Sequence, residues 1–262
     1  MSADVVVIAG TADARQIIGK LLEKGIPTAA TVATGYGSEL LSGYPGLEVY
    51  EGRLTGEEMA DLLKRTGAKC LIDASHPFAK EVSVNAIHAC ETAGVPYIRY
   101  ERSHTDTGKA EVIRVGDFTE AAKLLSRMKG NILLTVGSNN LDVFTENVED
   151  FKERMFIRVL PEGKVLQKCE AAGFSASNII AMKGPFTVAM NVEMIKYCKA
   201  QVLVTKDSGA EGGLPEKLRA AELTDIKVIM VERPGIEYKH KVTKIKDAVE
   251  YAVSLCTTGE MV

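Results

Sequence analysis

The sequence predicts an α/β fold built as two Rossmann-like lobes, each a mostly parallel sheet flanked by helices, with a ligand cleft between them. Three observations carry this. Short apolar, β-branched runs of strand length recur along the chain, most ending in a glycine or a polar turn. Amphipathic segments with a 3.6-residue repeat alternate with them, which is the pattern of βα units and a parallel sheet. The rhythm restarts after Lys129-Gly130, where Ile132 to Val136 followed by Gly137-Ser138-Asn139-Asn140-Leu141 matches the first strand and its loop. A length of 262 residues favours two domains, set at 1–129 and 130–262.

In the first half, Asp4 to Ala9 reads as a strand, Gly10 to Arg15 as a tight turn, and the segment to Lys24 as a helix closed by Gly25. A full G-x-G-x-x-G fingerprint is absent, so this turn offers a small-anion site at the amides around Thr11. Arg15, one turn into the helix, is within reach of such an anion, although a solvated surface Arg is the commoner reading. The second strand, Thr28 to Ala33, ends in Thr34-Gly35-Tyr36-Gly37-Ser38. Dinucleotide folds specific for NAD place an acid near here to hold the ribose 2′-hydroxyl, and these hydroxyls and glycines favour NADP instead. Leu47 to Tyr50 is a third strand, and Thr55 with Glu58 forms a capping box for the next helix.

Lys69 to Asp73 is a fourth strand leading into Ala74-Ser75-His76-Pro77-Phe78-Ala79. Ser75 and His76 fall at the carboxyl edge of the sheet, where open α/β folds bind ligands, and Pro77 suits a first helical turn. The bland reading of His76 is a hydrogen-bonded structural residue. Val95 to Tyr100 gives a fifth strand with Tyr97, Arg99, Tyr100 and Arg102, either a solvated edge or a basic, aromatic wall for an acidic planar ligand.

The second half has strands at 132–136, 156–160, 179–182, 202–205 and 228–231 and a last helix from about Lys244 to Leu255. Strand 179–182 ends in Lys183-Gly184-Pro185-Phe186, and strand 202–205 opens into Lys206-Asp207-Ser208-Gly209 with Gly212 and Gly213. That Gly-rich loop before a helix is an anion-site pattern to which Lys206 and Lys217 add charge; an ordinary strand-to-helix loop is the alternative. Aligning Asp73–Cys90 with Ala181–Cys198 pairs Pro77 with Pro185 and Phe78 with Phe186, as expected of two similar lobes.

Composition narrows the functions. Lys plus Arg total 32 against 35 Asp plus Glu, a net charge of −3, so no global basic field exists for nucleic acid or an anionic membrane. The five cysteines are dispersed without a C-x-x-C pair, as in a reduced, cytoplasmic protein. The four histidines lack metal-ligand spacing, so no metal site is expected.

Six segments, taken in order, resemble the precorrin-6A reductase family of cobalamin biosynthesis, whose anaerobic branch contains cobalt-precorrin-6A reductase. They are Ala9-Gly10-Thr11 with Arg15, Asp73 to Ala79, Tyr97 to Arg102, Gly137 to Leu141, Met182 to Phe186, and Thr205 to Gly209 with Gly212-Gly213. The family usually has Gly-Gly-Thr where Ala9-Gly10-Thr11 stands, and commonly has Lys at Asn139, so one charge is missing here.

The resemblance implies NADPH-dependent reduction of one carbon–carbon double bond of precorrin-6A or cobalt-precorrin-6A, with transient contact to neighbouring pathway enzymes. In this reading lobe 1–129 binds NADP through Gly10, Thr11 and Arg15, with Thr34, Gly35, Tyr36, Gly37 and Ser38 near the adenosine and Ser75 and His76 nearer the nicotinamide. The substrate carboxylates are expected at Arg99, Arg102, Lys183, Lys206, Ser208, Gly209, Gly212 and Gly213. Tyr100, His76 and Lys206 are the candidate proton donors, with water an equal contender. The alternatives are a two-lobed binding module for a nucleotide or anionic metabolite, and a related NADPH reductase with another substrate.

Overall fold

The structure, a computed structural model, describes residues 2–257. Strands β1 (Val5–Ile8), β2 (Thr28–Val32), β3 (Glu48–Glu51), β4 (Cys70–Asp73) and β5 (Tyr97–Tyr100) alternate with helices α1 (Ala12–Glu23), α2 (Gly35–Glu39), α3 (Gly56–Thr66) and α4 (Lys80–Ala93). Next come β6 (Val112–Val115), α5 (Phe118–Leu125), β7 (Asn131–Leu134), α6 (Leu141–Asn147), α7 (Phe151–Arg154) and β8 (Met155–Val159). They are followed by α8 (Gly163–Ala171), β9 (Ile179–Ala181), α9 (Val188–Tyr197), β10 (Ala200–Lys206), α10 (Leu214–Thr224) and β11 (Lys227–Val231). The chain closes with β12 (Lys241–Val242) and α11 (Ile245–Thr257).

Every pairing in both six-stranded sheets is parallel, in the orders β12-β5-β4-β1-β2-β3 and β6-β11-β10-β7-β8-β9. Strands β1 and β7 therefore lie inside their sheets, each with neighbours on both sides, as in a doubly wound fold. Strand β1 shows why its sequence is apolar without alternation. Val5 and Val7 face the core formed with Ile17, Ile18 and Leu21 of α1, and Val6 and Ile8 face the one formed with Met59 and Leu63 of α3 and Ala86 of α4. A strand covered on both faces has no polar side to show. The capping box at α3 is present: Thr55 N–H donates to Glu58 Oε2 at 2.8 Å and Glu58 N–H to Thr55 Oγ1 at 3.2 Å.

The division of the chain differs from the expected break at 129/130. One compact unit comprises the residues up to Ser103 together with those from Gly235 onward, and the other His104–Pro234. The cause is strand pairing at long range. β6 follows β5 in sequence but pairs with β11, and β12 follows β11 but pairs with β5. Each unit thus takes one of its two outermost strands from the other half of the repeat. Helix α11 then completes the first unit, burying Ala248, Val249, Ala252 and Cys256 against α1.

Two local expectations are also corrected. The turn from His76 to Ala79 closes on itself, with Ala79 N–H donating to the His76 carbonyl at 2.8 Å, so Pro77 precedes α4 instead of opening it. The alignment of Asp73–Cys90 with Ala181–Cys198 joins unlike places: β4 neighbours its central strand, whereas β9 is an outermost strand. The topological counterpart of β4 is β10.

Candidate functional site

In the first unit, the turn after β1 is shaped for close approach. Gly10 has φ +136°, and nothing lies within 4 Å of where a Cβ would stand. Only glycine adopts this backbone readily, and the open space admits a ligand. Thr11 caps α1, accepting from Ala14 N–H at 3.1 Å, while its own hydroxyl donates to the Ala74 carbonyl at 2.9 Å. Its side chain is therefore committed to joining the turn to the end of β4. Arg15 Nη1 bonds back to the Thr11 carbonyl at 3.4 Å. Asp13, buried in the first turn of α1, would repel a second anion there, but Arg102 Nη2 lies 2.8 Å from its Oδ2. Arg102 is thereby drawn from the substrate-binding set into the support of this helix start.

The segment expected near an adenosine contains a short helix. Thr34 caps α2, accepting from Gly37 N–H at 3.2 Å. Thr34, Gly35 and Tyr36 are exposed, and Gly37 and Ser38 half-buried. No acid stands on the chain between Ala33 and Ser38. One comes from the next strand instead: Glu51 Oε1 lies 3.3 Å from where a Cβ on Gly35 would be.

At the end of β4 the side chains form a buried, self-satisfied network. Asp73 accepts from Ser83 Oγ at 2.6 Å, Tyr97 OH at 2.7 Å and Ser75 N–H at 3.0 Å, and Arg99 Nη1 lies 3.0 Å from its Oδ1. Burial, and then the neighbouring Asp73 carboxylate, push the Tyr97 phenol well above its ordinary pKa, which keeps it a donor. Arg99 also reaches Ser75 Oγ at 3.1 Å and Glu101 Oε2 at 3.4 Å, and it sits 5.4 Å from the Tyr238 ring centre. The Arg99 and Asp73 side chains are both 0% exposed, so Arg99 cannot meet a substrate carboxylate; it holds the carboxyl ends of β4 and β5 together. Ser75 is bound into the same network, and Tyr100, 7% exposed, belongs to the core, which removes it from the candidate acids. His76 stays half-buried, its Nδ1 accepting from Phe78 N–H at 3.1 Å.

In the second unit, β10 runs into Lys206-Asp207-Ser208-Gly209 and a single 3₁₀ turn, Ala210–Gly212, before α10. Gly209 and Gly213 have φ of 73° and 68°, and a Cβ on Gly212 would run into the Ser208 side chain. The glycines are thus required by the loop itself. Asp207, 1% exposed, accepts from Arg233 Nη2 at 3.4 Å, and His104 Nδ1 lies 2.5 Å from its other oxygen. Lys183 is exposed and Lys206 half-buried, its pKa lowered by burial.

Beside this loop lies a cavity of about 740 Å³ whose wall includes Thr135, Gly137, Arg158, Phe186, Gly212 and Lys217. Arg158 and Lys217 are 7% and 8% exposed. Burial pulls Arg158 down to about 10. Burial, then the positive charges of Arg158 and Lys206, pulls Lys217 down to about 7, against a smaller upward pull from Glu216. The cavity brings Gly212 and Gly213 together with two cations, but not Lys183. Arg158 escaped the sequence reading because a single Arg inside a strand carries no motif; the Asp73 and Asp207 networks escaped it because their partners are distant in sequence.

Fold and strand-end sites define the class: a doubly wound α/β protein with glycine turns and basic groups at the carboxyl edges of its sheets. The family model described as "Precorrin-6x reductase CbiJ/CobK" matches residues 4–253, and the chain belongs to that family. Similar proteins include the cobalt-precorrin-6A reductase of Priestia megaterium, 37% identical with 95% of this chain and 98% of that one covered. The cobalt-precorrin-6A reductase of Salmonella typhimurium is 36% identical, with 88% of each chain covered. A solved structure titled "CobK precorrin-6A reductase" superposes over 100% of both chains with a TM-score of 0.79 at 24% identity, a likeness of fold. The chain is thus an oxidoreductase of the precorrin-6A reductase type. Among the described residues no helix is long and apolar enough to cross a membrane, and no cluster of His, Cys, Asp or Glu is placed to hold a metal ion.

Proposed function

We propose that the protein is an NADPH-dependent cobalt-precorrin-6A reductase. The observation that carries this is the run of cobalt-precorrin-6A reductases at 32–37% identity over most of the chain, against 26–27% for relatives described as precorrin-6A reductases. Any cobalt would enter with the substrate.

Gly10, the amides that follow it and Arg15 would hold the dinucleotide, and the open space at Gly10 fits a pyrophosphate. Thr34 to Ser38 would meet the adenosine end; the lack of an acid on that segment favours NADPH, although Glu51 lies close by. When bound, the nicotinamide supplies the hydride. The chain's part is to orient the macrocycle and furnish a proton. Lys183, Lys206, Ser208, Gly209, Gly212 and Gly213 are the residues we assign to the substrate side. His76 and Lys206, both half-buried at strand ends, are the candidate acids.

The test follows NADPH oxidation with cobalt-precorrin-6A as acceptor. Turnover is expected, with a fall of about 10²-fold or more in whichever of His76→Ala and Lys206→Ala removes the acid. Full turnover in both variants would assign the proton to water. Binding of both ligands without NADPH consumption would replace the reductase by a binding module.

A further inference from the structure

We infer that the cavity of the second unit is an oxyanion site in which Arg158 and Lys217 together hold one carboxylate or phosphate group of a ligand. The first ground is charge. Both side chains are more than nine-tenths buried, and among the described residues no carboxylate lies within ion-pair distance of either. Buried cations in folded proteins are paired, and these two are not.

The second ground is the supply of donors. Arg158 spends Nη1 on neutral acceptors, Asn191 Oδ1 at 2.7 Å and Met194 Sδ at 3.4 Å, and no bond from its Nε or Nη2 is found among the described residues. The Phe186 ring lies 4.0 Å from its Cζ, which fixes the plane of the guanidinium fork. Lys217 makes two long contacts, to the Gly212 carbonyl at 3.2 Å and Thr205 Oγ1 at 3.4 Å. The wall that carries both cations also carries Gly137 and Gly213, where backbone can approach a ligand closely.

The charged groups around Lys217 are Arg158 from β8, Lys206 from β10, Glu216 on its own helix and Glu211 in the preceding turn, both acids lining the same cavity. With its pKa near 7, Lys217 is only partly protonated at neutral pH. An anion on Arg158 offsets the repulsion and favours the protonated amine. Binding should therefore take up a proton above neutrality, and affinity should fall by up to about tenfold per pH unit as pH rises through 7 to 9.

Two ligands of this pathway step carry oxyanions: the acidic side arms of the tetrapyrrole and the phosphates of the dinucleotide. The site's chemistry stands without the reductase reading, and only the choice between these sources rests on it. Uroporphyrin, a stable tetrapyrrole with acidic side arms, and NADP⁺ serve as probes, titrated into wild type, Arg158→Gln, Lys217→Met and Lys217→Arg, each checked for native circular dichroism. Arg158→Gln and Lys217→Met should weaken one probe by about tenfold or more, and Lys217→Arg should keep affinity but lose its pH dependence.

Weakening of uroporphyrin places a substrate arm in the cavity; weakening of NADP⁺ places a phosphate there. If Arg158→Gln does not fold, the two Lys217 variants carry the test. Unchanged affinity for both probes in well-folded variants overturns the inference, as does failure of both probes to bind wild type. Turnover is not read here, so a chain that binds the probes yet reduces no cobalt-precorrin-6A would sink the reductase reading alone.

Discussion

Both units bury an Asp–Arg pair near corresponding strand ends, Asp73 at the end of β4 with Arg99 on β5, and Asp207 after β10 with Arg233 after β11. They differ in the remaining cations. In the first unit Arg99 and Arg102 are neutralised within the protein, by Asp73, Glu101 and Asp13. In the second, Arg158 and Lys217 line a cavity, and among the described residues their close partners are neutral atoms. A basic side chain at the carboxyl edge of an α/β sheet is therefore no ligand site by itself. What matters is whether the chain has already supplied the counter-ion.

The same substitution in the two units should break this comparison most sharply. Arg99→Met leaves Asp73 buried with its ion partner gone, and loss of one member of a buried pair costs about 3–5 kcal/mol. Arg158→Met removes an unpaired buried charge; relief of desolvation opposes the lost Asn191 bond, and the two should cancel to within about 1 kcal/mol. Urea unfolding of the two variants measures both. Equal, large losses would mean that Arg158 has a structural counter-ion after all, and the contrast between the units would fail.

A smaller effect separates the units by pH. The pKa of Lys217 is depressed in the folded protein to about 7, below its ordinary 10.5, so between these values the unfolded chain binds more protons. Stability should then rise with pH across this window, with the full penalty present below about pH 7. Lys206 is shifted in the same direction. Lys217→Met should flatten the profile, its stability relative to wild type falling by about 3 kcal/mol between pH 6.5 and pH 9.5. Thermal unfolding at the two pH values reads this directly, and parallel profiles for variant and wild type would place the amine in water.

The sequence reading succeeded where chemistry is local. The buried strands, the capping box of Thr55 and Glu58, and the glycine loop after β10 follow from residues within a few positions of one another. It failed where partners are remote. The exchange of β6 and β12 depends on pairings such as Val112 with Val228 and Arg99 with Lys241, and the two-residue β12 has no periodicity to read. Arg99 looked like a ligand residue because Asp73 lies 26 positions away, and a comparable remoteness hid Arg158, whose Asn191 and Phe186 come from outside its strand. The repeat was misaligned because Pro-Phe pairs recur at turns of unlike topological place.

The smallest effect concerns which unit takes the dinucleotide. If its 2′-phosphate sits beyond β2, near Gly35, it lies close to Glu51, an exposed carboxylate that repels it weakly. Exposed charge pairs are worth up to about 1 kcal/mol, so Glu51→Gln should raise the ratio of kcat/KM for NADPH over NADH by up to about fivefold, leaving the NADH value nearly unchanged. Gly10→Val, which forces a β-branched residue to φ +136°, should raise KM for both nucleotides. An unmoved ratio in Glu51→Gln together with normal KM in Gly10→Val would exclude the first unit as the cofactor's home. Arg158 and Lys217 would then be the candidate partners of the phosphates, and loss of NADP⁺ affinity in Lys217→Met would separate that arrangement from a cofactor bound in the first unit.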